Sequence, residues 1–410
     1  MHRTILAIVL CALAATCKEA VGPGPLPGGP LEPIESLPRE LSPQEAALVD
    51  AGNDFSFRLL GRVVQEEPDA NVFLSPLSVS MVLGMLLNGA EGETRDEIEA
   101  ALGVSSLTLD EINRSYRDLI DLLLGLDPSV ETVVANSIWI REGFPIVPEF
   151  LATGQEFFDA EVAGLDFADP ASLERINGWV EEKTRGRIER IVNAIRPQDV
   201  MFLINALYFK GLWQTRFDPE DTRSASFRRP DGSRVEVAMM SLDSLFSQAA
   251  TERYQAVDLP YGGGAFSMTV VLPAEGTTTA ELAADLDSTA WRELVEGLQV
   301  RYLQVSLPRF ELGYEKTLNE ALQDLGVRKA FADADFSRLT PGGGVWLDYV
   351  KQKAFVKVDE AGTEAAAVTV GAIPVSAPPP FVADRPFLFA IRERLSGTIL
   401  FVGQVTDPSS

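Results

Sequence analysis

Apolar and polar residues alternate along this chain with two different periods, which predicts both helices and strands. A run with helical spacing follows Ser42-Pro43 and continues to Val63, and serine before proline is a typical helix start. A second helix is predicted after Ser75-Pro76. Further helical patterns cover residues 171–192, 279–297 and 316–330.

Strand-like apolar runs lie between these helices. The runs cover residues 133–140, 200–209, 256–259, 267–272, 302–307, 353–358 and 399–405. Strands and helices do not alternate as they do in βαβ units, and the chain has no internal repeat. The pattern therefore predicts a mixed chain of the α+β class.

The N-terminal residues have the composition of an export signal followed by a tether. Residues 1–16 hold Arg3, an apolar stretch and small residues up to Thr16. The apolar stretch is much shorter than the roughly 20 residues that a membrane span needs. Residues 17–41 are rich in proline and glycine, which favours an extended tether over packed structure. The folded domain is therefore predicted over residues 42–410.

Cys17 is a candidate for lipidation. It follows Leu-Ala-Ala-Thr, which resembles the cleavage box of bacterial lipoproteins. The alternative is ordinary cleavage after Ala14, which leaves Cys17 as a free thiol. We expect an exported protein, either secreted or held by a lipid anchor at the cell envelope.

Cysteine and histidine are almost missing from the chain. The only cysteines are Cys11 and Cys17, and the only histidine is His2. The predicted domain therefore cannot hold a disulfide, a Cys/His zinc site, a Ser-His-Asp triad or a Cys-His pair. Catalysis by paired carboxylates stays open, but the sequence has no Walker loop and no G-x-G-x-x-G or G-x-S-x-G motif. We expect no cofactor and no metal.

The net charge of −25 over 410 residues is spread along the chain rather than gathered in one tail. Such a distribution is typical of a solubilising surface. A negative surface also disfavours nucleic acid as a partner.

Seven segments resemble the serpin family and follow one another in the family's order. They are residues 71–79, 88–90 with Thr94, 176–188, 205–213, 307–310, 384–389 and 401–403. Each segment alone is a weak signal, but together they extend over most of the chain. The chain is therefore similar to serpins as one domain.

Residues 358–369 resemble the serpin hinge that precedes the bait bond. If this stretch is extended, its side chains alternate between two faces. One face carries only small or apolar side chains: Thr363, Ala365, Ala367, Thr369, Gly371 and Ile373. A charge on that face would cost several kcal/mol to bury, so its absence favours a segment that enters a packed sheet. Composition alone would also fit a buried strand or an alanine-rich helix.

Residues 372–380 contain four prolines, which cannot donate to a strand ladder, so an exposed extended loop is predicted. The run resembles the bait of antitrypsin, with the cleaved bond at Val375-Ser376. Counting from Gly362 by the commonest family length points instead to Ser376-Ala377. A small branched residue such as Val375 suits a shallow, elastase-like specificity pocket.

The resemblance implies a single-domain α+β serpin fold. That fold has a central five-stranded sheet that accepts the cleaved loop as a sixth strand, further sheets and about eight to nine helices. It implies an irreversible suicide-substrate inhibitor of serine endopeptidases of the elastase, chymotrypsin or subtilisin kind, monomeric and not an enzyme. The alternative is a non-inhibitory serpin that acts as a carrier, chaperone or storage protein.

The resemblance also assigns site residues. Ser75, Ser78 and Asn205 match the shutter, where the sheet parts, and Trp213 matches the breach, where insertion begins. Arg309 and Glu360 match a pair that ties a strand to the hinge. Gln352 stands where the shutter often has histidine. The hinge residues are Glu360, Gly362, Thr363, Ala365, Ala366, Ala367 and Thr369.

Overall fold

Nine α-helices occur in residues 33–362 and 380–409, the part of the chain that the computed structural model describes. They are α1 (Pro43–Glu66), α2 (Pro76–Leu87), α3 (Gly92–Leu102), α4 (Leu109–Gly125), α5 (Pro148–Phe158), α6 (Pro170–Lys183), α7 (Thr279–Asp285), α8 (Ser288–Glu296) and α9 (Asn319–Asp324). None of these helices is long and apolar enough to cross a membrane.

Both predicted helix starts are confirmed. The Ser42 hydroxyl accepts from the Glu45 N–H at 3.2 Å, and the Glu45 carboxylate accepts from the Ser42 N–H at 2.7 Å. This capping box satisfies donors that the first turn of α1 leaves free. At the start of α2, the Ser75 hydroxyl accepts from the Ser78 N–H at 3.3 Å, which fixes two predicted shutter residues.

Fourteen strands lie in the same described ranges. They are β1 (Val72–Leu74), β2 (Val130–Arg141), β3 (Ala160–Leu165), β4 (Met201–Gly211), β5 (Arg223–Arg228), β6 (Arg234–Ala250), β7 (Tyr254–Tyr261), β8 (Phe266–Pro273), β9 (Gln299–Pro308), β10 (Phe310–Thr317), β11 (Lys351–Val358), β12 (Phe381–Val382), β13 (Phe387–Glu393) and β14 (Ile399–Val405). The seven predicted runs coincide with β2, β4, β7, β8, β9, β11 and β14.

The largest sheet has the order β1-β14-β13-β8-β7-β6-β9-β12, with β5 paired to β6. Every residue of β8, β13 and β14 is buried. These three strands are covered on both faces, which explains their nearly continuous apolar sequences. With α1 and α2 they form the main hydrophobic core.

The five strands expected in the central sheet form two separate ladders. β3, β2 and β4 make one, and β10 and β11 make the other. β2 is parallel to β3 and antiparallel to β4, whereas β10 and β11 are antiparallel. Among the described residues, the one bridge between the ladders joins Leu212 and Gly362, and both lie just beyond their strands. The remaining edges of β4 and β11 that face each other carry no strand partner in the described residues.

α6 and the chain after it lie across this divided sheet. Trp179 of α6 packs edge-on against Trp139 of β2, with ring centres 6.1 Å apart. Farther along, the Arg187 guanidinium lies 5.2 Å from the centre of the Phe355 ring of β11. The segment therefore contacts both ladders. α6 ends earlier than the predicted helix of residues 171–192, because Arg185 has a left-handed backbone with φ of 53°.

Residues 33–41 pack against the body, although the sequence favours an extended tether there. The Ile34 N–H donates to the Gly263 carbonyl at 2.8 Å. Ile34, Leu37 and Leu41 contact the main core. These apolar side chains explain why the end of the proline-rich segment docks on the body instead of remaining in solvent.

Candidate functional site

The ends of β4 and β11 meet where the chain leaves for the predicted loop, and this contact contains Trp213, the residue predicted at the breach. Leu212 and Gly362 form an antiparallel bridge, and the Trp213 N–H donates to the Ala361 carbonyl at 2.9 Å. Gly362 has φ of 120°, and a Cβ there would lie 2.5 Å from the Gly211 carbonyl oxygen. Glycine is required for this close approach of the two backbones.

Trp213, predicted at the breach, holds the same contact through its side chain. Its indole Nε1 donates to the Asp359 carbonyl at 2.9 Å. Its ring stacks on that of Tyr261, with centres 4.4 Å apart. The buried indole therefore fixes the end of β11 against the end of β4.

Glu360, the first residue of the predicted hinge, is held by two side chains. Its buried carboxylate accepts from the Arg309 Nε at 2.6 Å and from the Thr222 hydroxyl. Burial alone raises the pKa of Glu360, but the hydrogen bonds from Arg309 and Thr222 outweigh it and hold the pKa below its usual 4.5. The carboxylate is therefore ionised at neutral pH, and the predicted pair is present.

The shutter residues on the β4 side form a hydrogen-bonded chain. The Ser78 hydroxyl donates to the Asn205 side-chain oxygen, and the Asn205 amide donates to Asn136 Oδ1 at 2.8 Å. The Asn136 amide donates in turn to the Phe158 carbonyl at 2.7 Å. Sequence reasoning missed Asn136. A polar amide in the middle of an apolar strand was the available signal, and its direct register partner is Asn205.

The β11 side of the shutter is held through Ser75. The buried Gln352 amide donates to the Ser75 carbonyl at 2.7 Å, and the Ser75 hydroxyl donates to the Leu400 carbonyl at 3.0 Å. Ser75 and Ser78 thus tie the start of α2 to β11 and β4 respectively. The Gln352 side chain is a neutral amide, so this contact does not titrate.

A cavity of about 340 Å³ lies between the first halves of β4 and β11. Val79, Leu86, Phe144 and Leu339 contribute to its apolar wall. The shutter polar groups line it as well: Ser75, Ser78, Asn205 and Gln352. We call the space between the facing edges of β4 and β11 the slot. It has the strand edges and the apolar wall that an added strand needs.

The chain is described up to Gly362 and again from Pro380, which leads into β12 beside β9. Some predicted site residues lie outside the described residues: Cys17, Thr363, Ala365, Ala366, Ala367, Thr369, Val375, Ser376 and Ala377. Within the described ranges, no group of three or more His, Cys, Asp or Glu side chains could hold a metal ion.

Comparison with known proteins assigns the family. Residues 50–408 match the family model described as "Serpin (serine protease inhibitor)". The chain is a serpin. The family and the α+β serpin fold expected from the sequence are confirmed, and protease inhibition is supported as the general function of the family.

Relatives and solved structures match this serpin over most of its length. It is 32% identical to glia-derived nexin of Rattus norvegicus over 375 residues, covering 88% of this chain and 94% of the relative. The native thermophilic serpin tengpin has a TM-score of 0.81 and 29% identity, covering 92% of this serpin and 97% of tengpin. Human thyroxine-binding globulin with its hormone has a TM-score of 0.82 and 29% identity, with 90% and 100% coverage. Such serpins therefore include a ligand-binding protein.

Proposed function

We propose that this serpin is an irreversible suicide-substrate inhibitor of serine endopeptidases of the elastase, chymotrypsin or subtilisin kind. One observation carries the proposal: the facing edges of β4 and β11 pair with no strand of the described residues, and the slot between them begins at Gly362, where the predicted loop begins. An unpaired edge is a template for strand addition. Here two such edges face each other beside the chain's own loop.

The proposed reaction starts as ordinary proteolysis. The protease serine attacks the Val375 carbonyl, an ester forms between them, and the Val375-Ser376 bond breaks. The Ser376 nitrogen receives the proton that the protease serine hydroxyl has lost, and Ser376 becomes the N-terminus of the C-terminal fragment. Residues 363–375 then enter the slot and carry the ester-linked protease with them. Distortion of the protease site slows deacylation, since losing one oxyanion donor alone costs about 100- to 1,000-fold.

Insertion has an adequate driving force. Both edges of the slot can accept backbone hydrogen bonds, and roughly ten new bonds at about 1 kcal/mol each would form. The face with Thr363, Ala365, Ala367 and Thr369 carries no charge, so its entry into the packed sheet avoids the large cost of burying a charge. Ala366 on the opposite face is small as well. Glu360 and Gly362 form the fixed end of the moving segment.

The bait bond is proposed at Val375-Ser376, with Ser376-Ala377 as the alternative. We assign Ser75, Ser78, Asn205 and Gln352 to the shutter that must part, and Trp213 and Arg309 to the breach. Their hydrogen bonds to both ladders support these roles.

The remaining proposals concern the whole protein. We propose export through residues 1–16, with Cys17 either lipidated or free, and a monomeric inhibitor that needs no cofactor and binds no nucleic acid. Mass spectrometry of the protein purified from its native envelope tests the N-terminus. Added diacylglycerol mass on Cys17 would support the anchor, and a free N-terminus at Ala15 would exclude it.

Mixing the protein with elastase, chymotrypsin, subtilisin and trypsin tests the function. We expect a covalent complex on denaturing gels with at least one of the first three. The same protease with its serine already blocked is the control, because it cannot form the ester. A loop that is cut while every protease keeps full activity would exclude inhibition and favour a non-inhibitory carrier, chaperone or storage protein.

A further inference from the structure

An ion pair crosses the slot at the end opposite Gly362. Arg196 Nη2 lies 2.6 Å from Asp348 Oδ2 and 2.8 Å from Asp199 Oδ1. The guanidinium also lies 5.9 Å from the centre of the Tyr349 ring. Arg196 and Asp199 precede β4, whereas Asp348 precedes β11. The pair therefore connects two ladders that share no strand pairing at this end.

Both sides of this ion pair are held in place. On the β4 side, the Arg141 N–H donates to the Val200 carbonyl at 2.9 Å. On the β11 side, Asn319 binds two backbone groups: its amide donates to the Asp348 carbonyl at 2.8 Å, and its oxygen accepts from the Val350 N–H at 2.9 Å. Since both backbones are fixed, the slot opens at this end only if the Arg196–Asp348 contact breaks.

The bridge between Leu212 and Gly362 sets the register of a strand that enters the slot. In an antiparallel pair, each step forward on one strand is one step back on the other. A strand that continued in register from this bridge would place Ile373 opposite Met201 and Val375 opposite Asp199. The cavity wall formed by residues 199–207 of the β4 side then faces residues 367–375. The proposed bait residue thus arrives beside the Arg196 ion pair.

We propose that Arg196 and Asp348 act as a latch, the last barrier to complete insertion of the cleaved loop. They are positioning residues, and the proposal rests on the function proposed above. The first steps of insertion pass the breach and the cavity. The last steps bring Val375, with the protease attached, to Arg196. The rate at which the latch opens then determines how many ester-linked proteases are trapped and how many are released by water.

Asp348→Asn tests the latch because it removes the charge and keeps the size of the side chain. Exposed ion pairs contribute about 0.2–1 kcal/mol, so we expect the last step to become about 1.4- to fivefold faster. The number of inhibitor molecules used per trapped protease should fall toward one. Arg196 and Asp348 are 39% and 47% exposed, so salt should screen the wild-type pair. For the wild-type protein, the number of inhibitor molecules used per trapped protease should therefore fall as NaCl rises from about 0.05 to 1 M. For Asp348→Asn this number should not depend on salt.

Amide hydrogen exchange of the intact protein gives a readout that needs no protease. Without the latch, exchange should rise at residues 201–204 and stay unchanged at 207–211, near the breach. Asp285→Asn is the matched control, since it breaks a pair with Arg253 of similar exposure away from the slot. This control variant should change neither amide exchange at residues 201–204 nor the number of inhibitor molecules used per trapped protease.

Two outcomes would overturn the latch. One is an Asp348→Asn protein whose stoichiometry and salt dependence equal those of wild type while inhibition itself is intact. The other is unchanged exchange at residues 201–204. If no protease is inhibited but amide exchange of Asp348→Asn rises at residues 201–204, the Arg196–Asp348 pair does hold the two ladders together. In that case the proposed inhibition is wrong.

Discussion

Arg309, the residue immediately before β10, donates from its Nε to the Glu360 carboxylate at 2.6 Å. The contact joins the strand at the edge of one ladder to the first residue of the hinge. It is formed in the intact protein, where Glu360 is buried and the following chain leads out at Gly362. The start of the predicted hinge is thus held in place in the intact protein.

The first prediction concerns the pH dependence of this anchor. The folded pKa of Glu360 is lowered, so its carboxylate contributes stability that is present above the unfolded pKa and is lost as pH falls through the folded value. Glu360→Gln should lower the stability of the intact protein by about 1 kcal/mol at pH 7. The difference from wild type should shrink below about pH 4.5. Thermal unfolding between pH 3.5 and 7 measures it.

Glu311→Gln serves as the control, because Glu311 is an exposed acid on the neighbouring strand. A Glu360→Gln deficit that stays constant down to pH 3.5 would contradict the assignment.

The second prediction concerns the shutter. Asn205→Ala would leave the partly buried Ser78 hydroxyl and the buried Asn136 oxygen without the partner that Asn205 provides. We expect the free energy of unfolding to fall by about 2–3 kcal/mol. Thr132→Val on the adjacent strand is the control, because the Thr132 hydroxyl is buried with no partner in the described residues. Chemical denaturation should show a lower free energy of unfolding for Asn205→Ala and little or no change for Thr132→Val. Equal losses would contradict the shutter assignment.

The third prediction concerns the hinge. Thr363→Arg would place a charge on the face that must enter the sheet, which slows insertion relative to deacylation. The variant should be cleaved at the wild-type bond yet release active protease. Glu364→Arg is the matched control, because in an extended hinge its side chain points to solvent, and it should inhibit as wild type does. Stable complexes of Thr363→Arg at wild-type yield would show that the face assignment is wrong.

The fourth prediction concerns the bait bond. Val375→Arg should shift inhibition toward trypsin-like enzymes, whose pocket holds an acid that valine leaves unpaired. Ser376→Arg is the control for the adjacent bond. Mass spectrometry of the released C-terminal peptide distinguishes the two: a fragment that starts at Ser376 supports Val375, and one that starts at Ala377 supports the alternative.

The sequence was most informative where strands are buried on both faces. Runs such as Phe266–Pro273 and Ile399–Val405 are apolar almost throughout, so period and composition agree. β6 was not predicted, because much of Arg234–Ala250 is partly exposed and polar residues interrupt its pattern. The tether over residues 17–41 stays a prediction, although Ile34, Leu37 and Leu41 within it contact the core.

The site was predictable only where local sequence carries a family signature. Ser75, Ser78 and Asn205 lie within recognisable segments, whereas Asn136 takes its role from pairing across the ladder with Asn205. The latch between Arg196 and Asp348 joins residues 152 positions apart. The division of the central sheet into two ladders gives no periodic pattern in the sequence, and neither does this contact. Both depend on how segments far apart in the sequence pack against each other.

The central claim is that the loop enters the slot between β4 and β11, and loop cleavage tests it most directly. A metalloprotease that forms no acyl-enzyme should cut within residues 374–377, after which melting temperature and amide exchange are compared with the intact protein. Insertion completes the sheet, so the cut protein should melt at a markedly higher temperature, with new protection along Met201–Gly211 and Lys351–Val358. A cut protein that melts at or below the intact temperature, with both strands exchanging as before, would contradict the account.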